Sequence, residues 1–119
     1  MKKEDVVKKS RDFDKIIKNN KFIKNDSYII YYEDNNEKTR FGISVGKKIG
    51  NAVERNYYKR VIRNICDINK NIYSKPKDYI IIMRNGCKKL SFKEKNERFI
   101  ALINKIQNKE KELENEKEN

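Results

Sequence analysis

Arg55, Lys59 and Arg63 recur every four residues, with Asn56 and Arg60 between them, inside the segment KKIGNAVERNYYKRVIRN at residues 47–64. On a helix turning ~100° per residue these five side chains share one face. Lys47 and Lys48 stand just ahead of it, so residues 47–63 hold six basic groups against one acid, Glu54. Surface helices ordinarily mix signs at i,i+4, because opposite charges stabilise the helix and like charges repel. A face that keeps its cations together has the chemistry of a phosphate binder. Guanidinium forks can grip two oxygens at once, and ammonium groups act as point charges. A polyanion relieves repulsion that the helix would otherwise carry.

The whole chain leans the same way. Its 119 residues contain 30 Lys+Arg against 18 Asp+Glu, a formal net charge of +12. Charged residues make up 40% and hydrophobic ones 36%, which supports one domain with one modest core. Abundant Lys, Asn, Ile and Tyr with no Trp fit an AT-rich coding bias, so lysine alone is a weak witness. Arginine is a better one. Of seven arginines, three (Arg55, Arg60 and Arg63) fall within nine residues.

Other chemistries find less support. There is no His, and Cys66 and Cys87 are isolated thiols, which argues against a zinc site and a disulfide framework. Both cysteines read as small buried hydrophobes. GISVGKK resembles a phosphate loop only superficially, since Gly42 to Gly46 is one residue short and no Ser or Thr follows Lys47. Without His or an acidic cluster, neither a general base nor a two-metal centre is evident, so the expected role is binding rather than catalysis. No apolar run approaches the ~18–20 residues of a spanning helix, and no secretory h-region opens the chain, so a cytoplasmic protein is expected. A membrane-surface role would need exposed bulky apolar residues, whereas the apolar half of 53–65 is required by a sheet. A general RNA-binding or ribosome-associated protein remains the alternative.

The elements that would position the basic face can be read in turn. Residues 1–9 are charged and expected to be flexible, residues 10–106 form the domain, and 107–119 form a charged tail expected to fray. Ser10 is a capping candidate for a helix at about 11–19, with Phe13, Ile16 and Ile17 at helical spacing. KFIKN forms a brief strand, and SYIIYYED is a β-branched and aromatic strand at 27–34. TRFGISVG alternates Phe41, Ile43 and Val45 against Arg40, Gly42 and Ser44, and is expected to pair with 27–34 as a hairpin. Asn51 and Glu54 make a capping box for a helix over 52–68. Its apolar half is Val53, Tyr57, Tyr58, Val61, Ile62 and Ile65, and Glu54 favours the helix dipole. YIIIMR at 79–84 reads as a strand buried on both faces. Ser91 opens a last helix with Phe92, Phe99, Leu102, Ile103 and Ile106 inward. The order α-β-β-β-α-β-α describes an α+β sandwich on a mixed sheet.

GISVGKKIGNAVERNYYKRVIRN resembles the signature of the bacterial ribonuclease P protein component. DFDKIIK upstream and KDYIIIMR downstream resemble that family's first helix and last strand, and the likeness spans about residues 9–106. The resemblance implies a fold like the second domain of ribosomal protein S5, with a left-handed βαβ crossover around the basic helix. It implies a protein that assists a catalytic RNA in removing the 5′ leader of precursor tRNA, with Mg²⁺ required by the ribonucleoprotein and no cofactor held by the protein alone. On this resemblance Lys47, Lys48, Arg55, Asn56, Lys59, Arg60 and Arg63 contact the RNA subunit. Phe13, Ile17 and Tyr31 line a cleft for the single-stranded leader, and neither a membrane nor a small-molecule substrate is implied. Two positions depart from the pattern. Tyr57 stands where many relatives carry another basic residue, and Ile17 where an aromatic would stack better.

Overall fold

In the run YIIIM every residue but the half-buried Ile82 is buried, because the run occupies an interior strand of a four-stranded sheet. The computed structural model describes residues 6, 7 and 10–118. Strand β1 (Phe22–Lys24), β2 (Tyr28–Asp34), β3 (Arg40–Ser44) and β4 (Lys77–Met83) lie in the order β1-β2-β4-β3. β4 runs antiparallel to β2 and parallel to β3. This order overturns the expected hairpin: β2 and β3 are consecutive in the chain, but β4 separates them. β4 is apolar on both faces, and the helices cover both: Ile16 of the first helix packs on Ile80 on one side, and Ile62 and Phe99 join Tyr79 and Ile81 on the other. Between the parallel neighbours β3 and β4 runs helix α2 (Ala52–Ile68), the long crossover that parallel pairing requires.

The strand alternation divides the core. Tyr28, Ile30 and Tyr32 of β2, Phe41 of β3, and Tyr79, Ile81 and Met83 of β4 are buried on the side covered by α2 and helix α3 (Phe92–Glu118). Phe99, Leu102, Ile103 and Ile106 of α3 complete that layer, with Tyr28 edge-on to Phe99 at 6.1 Å between ring centroids. Full burial of each such side chain contributes roughly 1.5–3 kcal/mol. Helix α1 (Ser10–Lys18) lies across the other face, where Ile16 and Ile80 are buried with Val7. Cys66 and Cys87 are buried free thiols, and burial pushes both thiol pKa values up.

Four further expectations change. Of the segment expected to be flexible, Val6 and Val7 are described and bound: Val6 bridges Phe41, and the Val7 amide donates to the Phe41 carbonyl at 3.0 Å. The rest of 1–9 lies outside the described residues. Val53 and Tyr57 do not pack on the sheet; the ridge of α2 that does is Ile62, Ile65 and Cys66, because the first half of the helix runs past the apolar layer. Phe92 is in phase with Phe99, yet it is 45% exposed and lines an open depression with residues of α2. The tail expected to fray continues as helix to Glu118. Three of its side chains explain this. Gln107 donates to the Ile72 carbonyl, Glu110 pairs with Lys77, and Glu114 pairs with Lys75.

Candidate nucleic-acid interface

The basic face is assembled from the loop before α2 and the helix itself. Buried Ile49, whose amide donates to the Gly46 carbonyl at 3.0 Å, anchors the loop and leaves Lys47 and Lys48 exposed. The helix then starts on the expected capping box. Asn51 Oδ1 accepts from the Glu54 amide at 2.9 Å, and the Asn51 amide donates to Glu54 Oε1 at 3.4 Å.

Glu54 is further committed to Lys88, whose Nζ stands 3.2 Å from its carboxylate and also donates to the Ile49 carbonyl at 2.8 Å. These bonds, Lys88 first and the Asn51 amide second, hold the Glu54 carboxyl below its ordinary range. The one acid of the segment is therefore neutralised by a lysine from beyond β4. Nothing in the sequence spacing of residues 54 and 88 announces that pair.

Asn56, Arg60 and Arg63 are exposed along α2, and Arg55 and Lys59 are half-buried. Among the described residues no carboxylate lies within ion-pair distance of Arg55, Lys59 or Arg60. Arg55 Nε is buried without an acceptor. Three other arginines behave differently. Arg40 grips Asp78 with both Nε (2.8 Å) and Nη2 (2.7 Å), Arg84 donates to the Asn25 carbonyl at 2.7 Å, and Arg98 lies 3.5 Å from Asp26. Among the described residues the fold uses Arg40, Arg84 and Arg98 internally and leaves Arg55 and Arg60 without such a partner.

Beside this face Tyr57 is exposed, its ring 5.2 Å from that of Tyr58 in an edge-on contact. Lys95 Nζ sits 5.8 Å from the Tyr58 ring centre.

The second candidate site lies on the opposite face of the sheet. Phe13 and Tyr31 both pack against the cluster of Val7, Ile16 and Ile80, so α1 and β2 do bring these two rings to one surface. Ile17, one turn on, is 37% exposed. Gly42 makes the approach of Phe13 possible: a β-carbon there would meet Phe13 Cζ at 2.5 Å. Sequence reasoning missed Phe22, which pairs with Tyr31 across β1 and β2 and lies 5.2 Å from its ring. The signal was available, since pairing KFIKN with SYIIYY in antiparallel register puts both rings on one face.

Among the described residues no group of three or more His, Cys, Asp or Glu could hold a metal ion, and no helix is long and apolar enough to cross a membrane.

With both surfaces in view, known proteins can be compared. A sequence profile of the family described as Ribonuclease P matches residues 1–107. This chain belongs to the ribonuclease P protein family. A ribonuclease P protein component from Mycoplasma mycoides is 47% identical over 108 residues, covering 89% of this chain and 99% of that protein. Among solved structures, the ribonuclease P protein of Thermotoga maritima superposes with a TM-score of 0.73 at 30% identity, over 78% of this chain and 89% of its own. A Staphylococcus aureus ribonuclease P protein, described as a mutant with defective mRNA degradation activity, gives 0.81 at 33% identity, over 88% and 90%. The small α+β fold on a mixed four-stranded sheet is thus that of ribonuclease P proteins. Membership in the family implies an RNA partner and a place in tRNA processing.

Proposed function

We propose that this chain is the non-catalytic protein subunit of ribonuclease P. The cationic face of α2, with Lys47 and Lys48, binds the RNA subunit through its phosphates. The aromatic cleft of Phe13, Ile17 and Tyr31, extended by Phe22, receives the 5′ leader of precursor tRNA. The observation that supports this reading is the division among the arginines: Arg40, Arg84 and Arg98 serve the fold, whereas Arg55 and Arg60 meet no carboxylate among the described residues.

Hydrolysis belongs to the RNA subunit and its Mg²⁺ in this reading. The described residues offer no carboxylate cluster that fits such an ion, and the chain has no His to serve as base. The protein's part is to neutralise phosphates and to orient a single strand, in the cytoplasm where precursor tRNA is made. An mRNA degradation activity is named for the Staphylococcus aureus protein. This chain alone is expected to leave RNA uncut.

The test is to add the protein to a bacterial ribonuclease P RNA and a precursor tRNA at low Mg²⁺. Cleavage of the leader should accelerate, and unchanged cleavage would defeat the proposal. Tight binding to many structured RNAs without that acceleration would favour a general RNA-binding protein instead.

A further inference from the structure

Arg60, Val61, Arg63 and Asn64 of α2, with Asp67 one turn further on, face Phe92 of α3 across an open depression of about 500 Å³. A lone exposed apolar side chain is ordinary and would mean nothing here. The company Phe92 keeps is what distinguishes it. Its ring is 45% exposed, although its phase on α3 matches that of the fully buried Phe99. It lines the depression with two exposed guanidinium groups, and Asn64 beside them carries both a donor and an acceptor. Asp67 is engaged within the chain.

An aromatic face, two phosphate-binding forks and an amide edge match the three parts of a nucleotide: base, phosphate and base edge. We infer that this depression holds one unstacked nucleotide of the RNA subunit, its base on Phe92 and its flanking phosphates on Arg60 and Arg63. The inference rests on the RNA-binding reading above and adds a contact from α3. The leader is not the occupant. Its proposed cleft lies under α1, on the face of the sheet opposite the layer that packs against α2 and α3.

Stacking and charge pairing respond differently to salt, and this separates the new contact from the old. A phosphate contact releases counterions, so its loss lowers the slope of log affinity against log salt by about one. A stacked ring releases none. The experiment measures affinity for a bacterial ribonuclease P RNA transcribed in vitro, at several salt concentrations, for wild type, Phe92→Ala, Phe92→Leu, Phe92→Tyr and Arg60→Ala. Phe92→Ala should bind roughly 5–150-fold more weakly, the span of one base–aromatic stack of ~1–3 kcal/mol, with the wild-type salt slope. Phe92→Tyr should restore affinity and Phe92→Leu should not. Arg60→Ala should flatten the slope. Wild-type affinity for Phe92→Ala, or full rescue by Phe92→Leu, would overturn the stacking site while a steep wild-type slope left the RNA-binding reading intact. A wild-type affinity independent of salt would overturn both. A melting curve for each variant confirms that the comparison is between folded proteins.

Discussion

Phe13 lies directly over Gly42, so closely that a β-carbon on residue 42 would stand 2.5 Å from Phe13 Cζ and 2.8 Å from Ile80 Cδ1. The glycine lets helix α1 approach the sheet and sets the floor of the proposed leader cleft. Gly42→Ala should push Phe13 outward at a cost of about 1–3 kcal/mol, typical of overpacking. Precursor tRNA affinity of the holoenzyme should fall with it. Denaturant unfolding measures the first effect, and an unaltered unfolding midpoint would show that the ring moves aside freely.

Tyr31 supplies the aromatic surface next to that ring. In the assembled ribonucleoprotein, Tyr31→Ala should weaken precursor tRNA binding by roughly 5–150-fold, the range of one base stack. Mature tRNA has no leader, so its affinity should hardly change. Equal losses for both ligands, with a lowered melting temperature, would assign Tyr31 to the core instead.

Arg60 offers a comparison of geometry with charge. Its side chain is exposed, and a planar fork can bond two phosphate oxygens where an ammonium cannot. Arg60→Lys should therefore weaken assembly with the RNA subunit by about tenfold, as expected for ~1.4 kcal/mol, without moving the melting temperature. Assembly at wild-type strength would mean that only net charge counts at this position.

Lys77 links the start of β4 to Asp34 and Glu110, and only 1% of its side chain is exposed. Burial alone would lower its pKa, but the two carboxylates outweigh burial and raise it. The hydrogen bond from Lys77 holds the Asp34 carboxyl below its ordinary value. Stability from the depressed Asp34 is present above the unfolded carboxyl value of ~4 and lost as pH falls through the folded one. Stability from the raised Lys77 is present below the unfolded ammonium value of ~10.4 and lost as pH rises through the folded one. Lys77→Met should destabilise at pH 7 by about 1–4 kcal/mol, since Asp34 stays largely in water but Glu110, 23% exposed, loses its partner. It should flatten both the acid limb below pH ~4 and the alkaline limb above pH ~10. Urea unfolding across that range checks it. Limbs as steep as those of wild type would show that other groups govern them.

What could be read from the sequence was what local chemistry decides. Helix α2 begins at its capping box and ends at the expected residue, and β4 announces itself by five consecutive apolar residues. Strand partners were not legible. Adjacency in sequence favoured a β2–β3 pair, whereas the doubly apolar β4 had to be enclosed. The wheel left Asn56, Arg60 and Arg63 exposed, as they are, but assigned Val53 and Tyr57 to a sheet they overhang. Side chains contributed by distant segments were invisible for the same reason. Lys88 reaches Glu54, Phe92 reaches the flank of Arg60, and Phe22 reaches Tyr31 only once the tertiary fold exists.

The insertion of β4 between β2 and β3 also fixes the order in which the molecule can become itself during synthesis. A chain grown to residue 72 already carries every cation of the α2 face, yet the only strands it can pair are β1 and β2. A two-stranded hairpin is at best marginal alone. β3 has only the short contact of Val6 and Val7 with Phe41 until residues 77–83 emerge, and the inner layer closes only when α3 follows. Closure of the sheet therefore depends on non-local pairing, as in mixed α/β domains rather than in helical bundles. The polyelectrolyte segment is made first and given its shape last, and a fragment stopping short of β4 would keep the charge without the architecture that aims it.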